Sequence, residues 1–439
     1  MSRHLASMLK AALWMTLALL CSSKVDAQIL HTYTLGEGYT LSDERQDYSI
    51  NLRGYIQPYF EVKRYEDPNL TDNYSRFRMR RIRLRLSGEA LQQKIEYRIK
   101  VDLSGISETG DELGQYLFDG YITYNFDRDH SLTVGQKVPS TDNRELQMGS
   151  QSLQLVERSR VTSVFSTIRE FGLFYAGRFR LRDGSYLRPT FEVTNGDGIN
   201  AFAQDRGGLK VGGRIDYLPF GLFYNYGQFR QADLVREQSL KLVIGGTYSY
   251  NMGMSSRRGR GSGDILYLND QGLESLPNYA KFGVDFLLKY RGFSMIGEFM
   301  GSVASVPTDI TQRVRNDGSI STNFEVDGEQ NVENYVKGRM MLGKGYNIQA
   351  GYVFPSNWSI DARYCHLDAD EYSFMNNGTF YNRPNYYTIG VTKYLARDYG
   401  FKIQASITYA EADEGSNDIY SRPITGNEWI ARVITTFAF

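Results

Sequence analysis

Arg76-Phe77-Arg78-Met79-Arg80-Arg81-Ile82-Arg83-Leu84-Arg85-Leu86 alternates arginine with apolar residues and slips phase once, at Arg80-Arg81. A period of two is a β-strand with two unlike faces. Soluble sheets rarely stack so many like charges on one face. A membrane barrel can do so, because one face meets lipid and the other a water-filled lumen. Near the midplane of the lipid face each Arg would cost about 2–4 kcal/mol, so the arginines are expected to point inward and Ile82, Leu84 and Leu86 outward. The phase slip predicts a β-bulge, after which Phe77 and Met79 share the lipid face.

The chain opens with Arg3, His4 and Lys10, continues through the apolar run from Ala11 to Cys21, and reaches Val25-Asp26-Ala27. This pattern predicts a secretory signal over residues 1–27, too short to span a membrane as a helix. A lipoprotein signal at Cys21 would need a small residue before it, and Leu20 is a poor one. Cleavage would remove Arg3, Lys10, Lys24 and Asp26 from a chain with 50 basic and 50 acidic residues, leaving a net charge of about −2. A globally basic nucleic-acid binder is therefore disfavoured, and basic character is local. Only Cys365 would remain, which excludes an intramolecular disulfide and a multi-cysteine metal site. The 33 Tyr, 24 Phe and 43 Gly, with no long apolar run after residue 27, suit a β-barrel with a polar lumen. Composition alone also admits a soluble all-β sandwich or propeller.

Residues 28–48 are polar and without sustained alternation, and read as a periplasmic lead-in. Period-two stretches then predict sixteen strands within 49–439. They are Ser49–Lys63, Arg76–Leu86, Lys94–Ser104, Leu117–Asp127, Ser131–Val138, Phe171–Arg180, Tyr186–Thr194 and Leu209–Leu218, followed by Leu240–Tyr250, Tyr279–Tyr290, Phe293–Ser302, Tyr346–Phe354, Trp358–Leu367, Tyr386–Leu395, Phe401–Glu411 and Asn427–Phe439. The expected fold is all-β, a 16-stranded antiparallel transmembrane β-barrel with an inward-folded long third loop, both termini lying on the periplasmic side.

In the fourth strand Phe118, Ile122, Tyr124 and Phe126 are expected outward, with Asp119, Tyr121, Thr123 and Asn125 inward. Pro58 suits a seam or a bulge. A turn centred near Glu89-Ala90-Leu91 would set Arg85 beside Glu96 and Arg81 beside Lys100. The third loop, Pro139 to Glu170, has no period-two stretch and is long enough to be functional, with Arg144, Arg158 and Arg160 as constriction residues. The connection Pro219 to Ser239 falls on the periplasmic side by strand parity.

The expected anion pathway comprises Arg76, Arg78, Arg80, Arg81, Arg83 and Arg85 of the second strand, with Arg98 and Lys100 of the third. Arg257-Arg258-Gly259-Arg260 reads as a flexible basic segment, part of an anion-attracting mouth or a solvated loop. No HExxH, P-loop, GxSxG or dinucleotide fingerprint occurs. His130 and His366 could serve as bases but lack sequence partners, so no enzyme activity, cofactor or metal is expected. Cys365 reads as a buried small residue. The final strand ends in an aromatic residue, Phe439, which resembles the recognition signal of outer-membrane assembly.

In order along the chain, Phe77-Arg78-Met79-Arg80-Arg81-Ile82-Arg83-Leu84, Ile95-Glu96-Tyr97-Arg98-Ile99-Lys100-Val101-Asp102, Phe118-Asp119-Gly120-Tyr121-Ile122, Gly135-Gln136-Lys137-Val138-Pro139, Leu155-Val156-Glu157-Arg158-Ser159, Phe282-Gly283-Val284-Asp285 through Gly297-Glu298, and Tyr346-Asn347-Ile348-Gln349-Ala350-Gly351-Tyr352 resemble the phosphate-selective porin O and P family. The resemblance implies a trimeric, sixteen-stranded porin in the outer membrane of a Gram-negative bacterium. It implies arginines that conduct small anions such as phosphate or polyphosphate toward a lysine-rich periplasmic exit. After Gly135 the chain departs from the family's Lys-Pro-Pro-Phe continuation, having Val138-Pro139-Ser140-Thr141 instead. The alternatives are a general-diffusion porin without marked anion selectivity and a non-conducting structural or adhesive surface barrel. The expected partners are small anions, outer-membrane lipid and two further copies of the chain, with no nucleic acid.

Overall fold

In a computed structural model, residues 29–45, 47–70, 74–109, 114–201, 206–378, 381–396 and 399–439 are described. The predicted signal peptide lies outside them, as does part of the turn at 396–400. Sixteen antiparallel strands form the wall. They are β1 (Tyr48–Tyr65), β2 (Tyr74–Ala90), β3 (Ile95–Asp102), β4 (Leu117–Asn125), β5 (His130–Lys137), β6 (Glu170–Gly177, continued by Phe179–Arg180), β7 (Tyr186–Thr194) and β8 (Lys210–Leu218). The circuit continues with β9 (Lys241–Asn251), β10 (Asn278–Tyr290), β11 (Phe293–Ser305), β12 (Gly343–Val353), β13 (Trp358–Ala369), β14 (Asn385–Tyr394), β15 (Phe401–Glu411) and β16 (Glu428–Ala438). β16 pairs with β1 and closes the barrel.

The alternation sorts side chains as the lipid rule requires. Phe77 is 83 % exposed, and Met79, Leu84 and Leu86 are exposed beside it, while Arg80 and Arg81 are fully buried. The register shifts between Gln57 and Pro58, so that Gln57 faces Arg81, Pro58 faces Met79, and Arg80 is the extra residue of a bulge. Rings on the outer wall form a band near the long-loop end: Tyr346, Tyr364, Tyr387, Tyr409 and Trp429 follow one another at centroid separations of 5.8, 5.0, 6.3 and 4.7 Å. Such girdles mark the depth at which lipid meets water.

Four local arrangements differ from the sequence expectation. The lead-in contains a hairpin, Ile29–Thr34 and Gly38–Asp43, whose second strand pairs with the start of β1. The β2–β3 turn occupies 91–94, with Leu91, Gln92 and Gln93 all at positive φ, so Arg85 faces Lys100, Glu89 faces Glu96 and Arg83 faces Asp102. A two-residue displacement of the turn centre moves the pairing by four. A second irregularity, opposite Lys100 and Val101, leaves Phe118 unpaired with β3, and its ring is turned inward and buried. The connection at 219–239 is extended only in part: Tyr224 and Tyr226 are exposed, but Gln231 and Asp233 are buried, and Lys289 donates to the carbonyls of Gly227 and Ala232, both at 2.9 Å.

Candidate functional site

The third loop, from the end of β5 to the start of β6, is bound to the buried face of the wall on many strands. Arg144 donates to Asp285 and Asp216 at 2.7 Å each, and Arg214 shares both carboxylates. Lys281 pairs with Asp142, and Lys402 donates to the Leu153 carbonyl at 2.5 Å. Gln154 meets Ser294, Gln349 and Gln404, and its backbone N–H donates to Gln231 of the 219–239 connection at 2.8 Å. Ion pairs therefore fill one side of the lumen and amides another. Two cavities adjoin the arginine stripe, one lined by β1, β2, the third loop and β13–β16 and the other by β1 to β4.

That stripe has three zones. Toward the long loops, Arg76 and Arg78 line a cavity of about 400 Å³. Its lining carries eight cations, Lys63, Arg76, Arg78, Arg158, Arg160, Arg363, Arg383 and Arg432, against three anions, Glu61, Glu157 and Glu428. Glu61 takes Arg76 at 2.8 Å and Arg432 at 2.6 Å, and Glu428 takes Lys63 at 2.5 Å and Arg383 at 2.8 Å. The guanidinium of Arg160 stands over Tyr381 and Tyr386 at 5.3 and 5.5 Å.

In the middle zone Arg80, Arg81 and Arg83 are buried and bound. Arg80 and Arg81 reach Glu157 at 2.5 and 3.4 Å, and their guanidinium groups also donate to the Glu108 carbonyl at 2.8 and 3.0 Å. Arg83 pairs with Asp102 at 2.6 Å and with the carboxylate of Glu108, which also takes Arg158 at 2.7 Å. Burial alone would raise the Glu108 carboxyl, but Arg83, Arg158 and Arg81 outweigh it and hold the group well below the usual carboxylate range. Burial likewise opposes ionisation of Glu157, and Arg80 and Arg81 bring it down to about 2. The inward ring of Phe118 lies 4.0 Å from the Arg83 guanidinium and 3.9 Å from that of Arg169.

Toward the short turns, Arg85 and Arg98 line a second cavity of about 400 Å³ with Arg53. Lys100 lies 4.0 Å from Asp119 and 4.9 Å from the Phe118 ring centre. Arg144 and Arg158 thus brace the third loop, and Arg158 and Arg160 also face the outer cavity. Glu108 comes from a loop without periodicity, and no sequence signal marks its role.

The basic segment Arg257–Arg260 is neither solvated nor loose. Arg258 is buried and donates to the Ser163 carbonyl and the Tyr381 hydroxyl, both at 2.9 Å. Arg260 donates to the carbonyls of Ser163 at 2.6 Å and Ser166 at 2.7 Å. Together they cap the short helix Arg160–Phe165, whose N-terminus is held by Ser159. Cys365 is buried in the apolar cluster formed with that helix. His130 contacts the Tyr175 hydroxyl at 2.7 Å, and His366 lies in the outer aromatic band against Asn385 at 2.8 Å.

No curated protein matches the chain. Solved structures share its fold. The anion-selective porin from Comamonas acidovorans is 10% identical, with a TM-score of 0.50 over 89% of this chain and 100% of that one. The outer membrane channel DcaP of Acinetobacter baumannii is 11% identical, at 0.50 over 90% and 99%. Salmonella typhi OmpF, solved in complex with daunomycin, is 10% identical, at 0.50 over 93% and 100%. Residues 50–186, from β1 through the arginine strand and the third loop, match the model of the phosphate-selective porin O and P family. With its closed sixteen-stranded antiparallel wall the chain has the fold of these porins, a barrel of the bacterial outer membrane, and its residues 50–186 are similar to the phosphate-selective porin O and P family.

Proposed function

We propose that the chain is a passive channel for small anions, phosphate or polyphosphate foremost, whose path follows the arginine stripe of β2. The observation that supports this best is the charge of the outer cavity, where eight cations face three anions although the whole chain is neutral. Fixed guanidinium groups replace part of an anion's hydration, and several neighbouring sites keep any one from holding it too long. From there the stripe runs through the bound layer of Arg80, Arg81 and Arg83 to Arg85 and Arg98, so a passing anion would exchange with the carboxylates of Glu108 and Glu157. That neutralised layer favours a second reading, a general-diffusion porin in which arginines and carboxylates set a transverse field. Reversal potentials across chloride and phosphate gradients in planar bilayers separate the two. The channel reading requires anion permeability well above that of potassium, and potentials near zero would favour the transverse field.

The assembly is taken as a homotrimer. In support, the outer wall at β1 and β13–β16 has an apolar groove where Gly390, Ala405 and Ala431 lie between Ile360, Ile389 and Phe60. A monomeric mass in mild detergent, with conductance intact, would contradict it.

A further inference from the structure

We propose that Gln231, carried into the lumen by the periplasmic connection at 219–239, is a positioning residue of the channel. Through Glu145 it braces the third loop against the arginine layer of β2 and so holds the aperture from the periplasmic side. This deepens the channel reading, on which it rests, and is independent of which ions pass.

A two-residue turn, Arg291-Gly292, is enough to join β10 to β11 at the same end of the barrel. A connection of about twenty residues that enters the lumen is far longer than closing the wall requires, and such length is usually functional. Its base is pinned on the ends of three neighbouring hairpins. Asp233 accepts from the backbone N–H of Gly292 at 2.7 Å, Arg236 donates to the Val353 carbonyl at 2.6 Å, and the Tyr399 hydroxyl donates to the Ala232 carbonyl at 2.9 Å. Its inner part meets the third loop. Phe223 shares an apolar cluster with Met148, and Gln231 is fully buried between the loop and the wall.

The partners of Gln231 fix which way its amide points, since an N–H needs an oxygen and a carboxylate needs a donor. Its Oε1 accepts from the backbone N–H of Gln154 at 2.8 Å and from the side chain of Gln349 at 3.3 Å, and its Nε2 donates to Oε1 of Glu145 at 3.0 Å. Arg363 lies 3.5 Å from the same carboxylate oxygen. The other oxygen of Glu145 accepts from the backbone N–H of Ser159 at 2.8 Å and from the Thr162 hydroxyl at 2.5 Å. Arg158 donates back to the carbonyls of Glu145 and Met148. Glu145 thereby fixes the backbone next to Glu157 and Arg158, the two residues that hold Arg80, Arg81 and Glu108. A line of hydrogen bonds therefore runs from the periplasmic connection to the arginine layer.

The test is a cycle of single-channel recordings in potassium chloride with Q231E, E145Q and Q231E/E145Q. Q231E sets a second carboxylate against Glu145 and removes the donor. Losing a hydrogen bond to a buried charge shifts a local equilibrium about ten-fold or more, so the time spent in a wider, higher-conductance state should rise by at least that factor. E145Q should act in the same direction. The double variant should return toward the unaltered record, because the amide of E145Q donates to the carboxylate of Q231E, which still accepts the Gln154 N–H. Only barrels that have folded and inserted are recorded, so a loss of folding yield does not move the readout. Q231E records that match the unaltered protein, or a double variant as altered as Q231E, would overturn the brace. A channel that is not anion-selective yet shows the cycle would leave the brace standing and fail the anion reading alone, whereas no current from any variant would fail both.

Discussion

Arg80 donates from Nε to Oε1 of Glu157 at 2.5 Å and from Nη2 to Oε2 at 3.1 Å, joining the bulge of β2 to the third loop by a two-point pair. The bulge is what puts Arg80 and Arg81 on the same inward face, so one carboxylate can hold both. Breaking a buried pair by removing one partner costs about 3–5 kcal/mol, because the other charge is left stranded. R80A or R83A should therefore lower the barrel's thermal midpoint clearly. R78A, whose guanidinium lies over the Tyr59 ring at 5.0 Å beside the outer cavity, should cost about 1 kcal/mol or less. Heat-modifiability on gels and thermal unfolding in detergent measure the difference.

Acid should loosen the same layer in a defined window. The carboxyl of Glu157 is brought to about 2 in the folded state, below the ordinary value near 4.3. A depressed folded value contributes stability that is fully present above the ordinary value and is lost as pH falls toward the folded one. Glu108 acts in the same direction. Unfolding midpoint and open-channel current should be flat from about pH 7 to 5 and fall below about pH 4, as bilayer records across that range would show.

Glu108 is the residue whose neutralisation should most change the current. Its carboxylate meets Arg83 and Arg158 and lies 3.8 Å from Arg81. E108Q keeps the side chain's size but adds one net positive charge to the layer. Phosphate should then block chloride current at a concentration about three-fold to ten-fold lower, in line with one charged hydrogen bond. An unchanged block would place the pathway away from Glu108.

Arg258 and Arg260 cap the carbonyl end of the helix Arg160–Phe165, and their loss should free the third loop rather than alter its charge alone. R258A/R260A should cost about 1–3 kcal/mol, show as flicker in single-channel records, and expose the third loop to protease. The single variants should each do less.

The wall was legible because lipid and lumen impose opposite demands on successive side chains. Phe77 and Leu84 on one face and Arg81 and Arg83 on the other could be sorted from sequence, and so could the bulge at Arg80-Arg81. What was not legible depends on single residues of offset or on distant partners. The three left-handed residues Leu91 to Gln93 carry no glycine to announce the turn, so the β2–β3 register was misplaced and Arg83 was not matched to Asp102. One unpaired residue turned Phe118 from lipid to lumen. Gln231, buried against Gln154 from the opposite end of the barrel, and Glu108, held by three arginines, act through contacts between loops that have no period to read. The pathway residues named from sequence on β2 and β3 therefore lie on two adjacent strands, with Arg80, Arg81 and Arg83 bound to carboxylates, while Arg144, Arg158 and Arg160 belong to the third loop.

If anions follow the arginine stripe past its two cavities, Arg76, Arg78 and Arg85, the members of β2 that line them, set the selectivity. The most direct measurement is the reversal potential in a potassium chloride gradient, compared between the unaltered protein and R76A/R78A/R85A. The expected result is a clearly anion-selective potential that collapses toward zero in the variant, with the folded barrel retained. A potential that is anion-selective and unmoved by the three substitutions would contradict it.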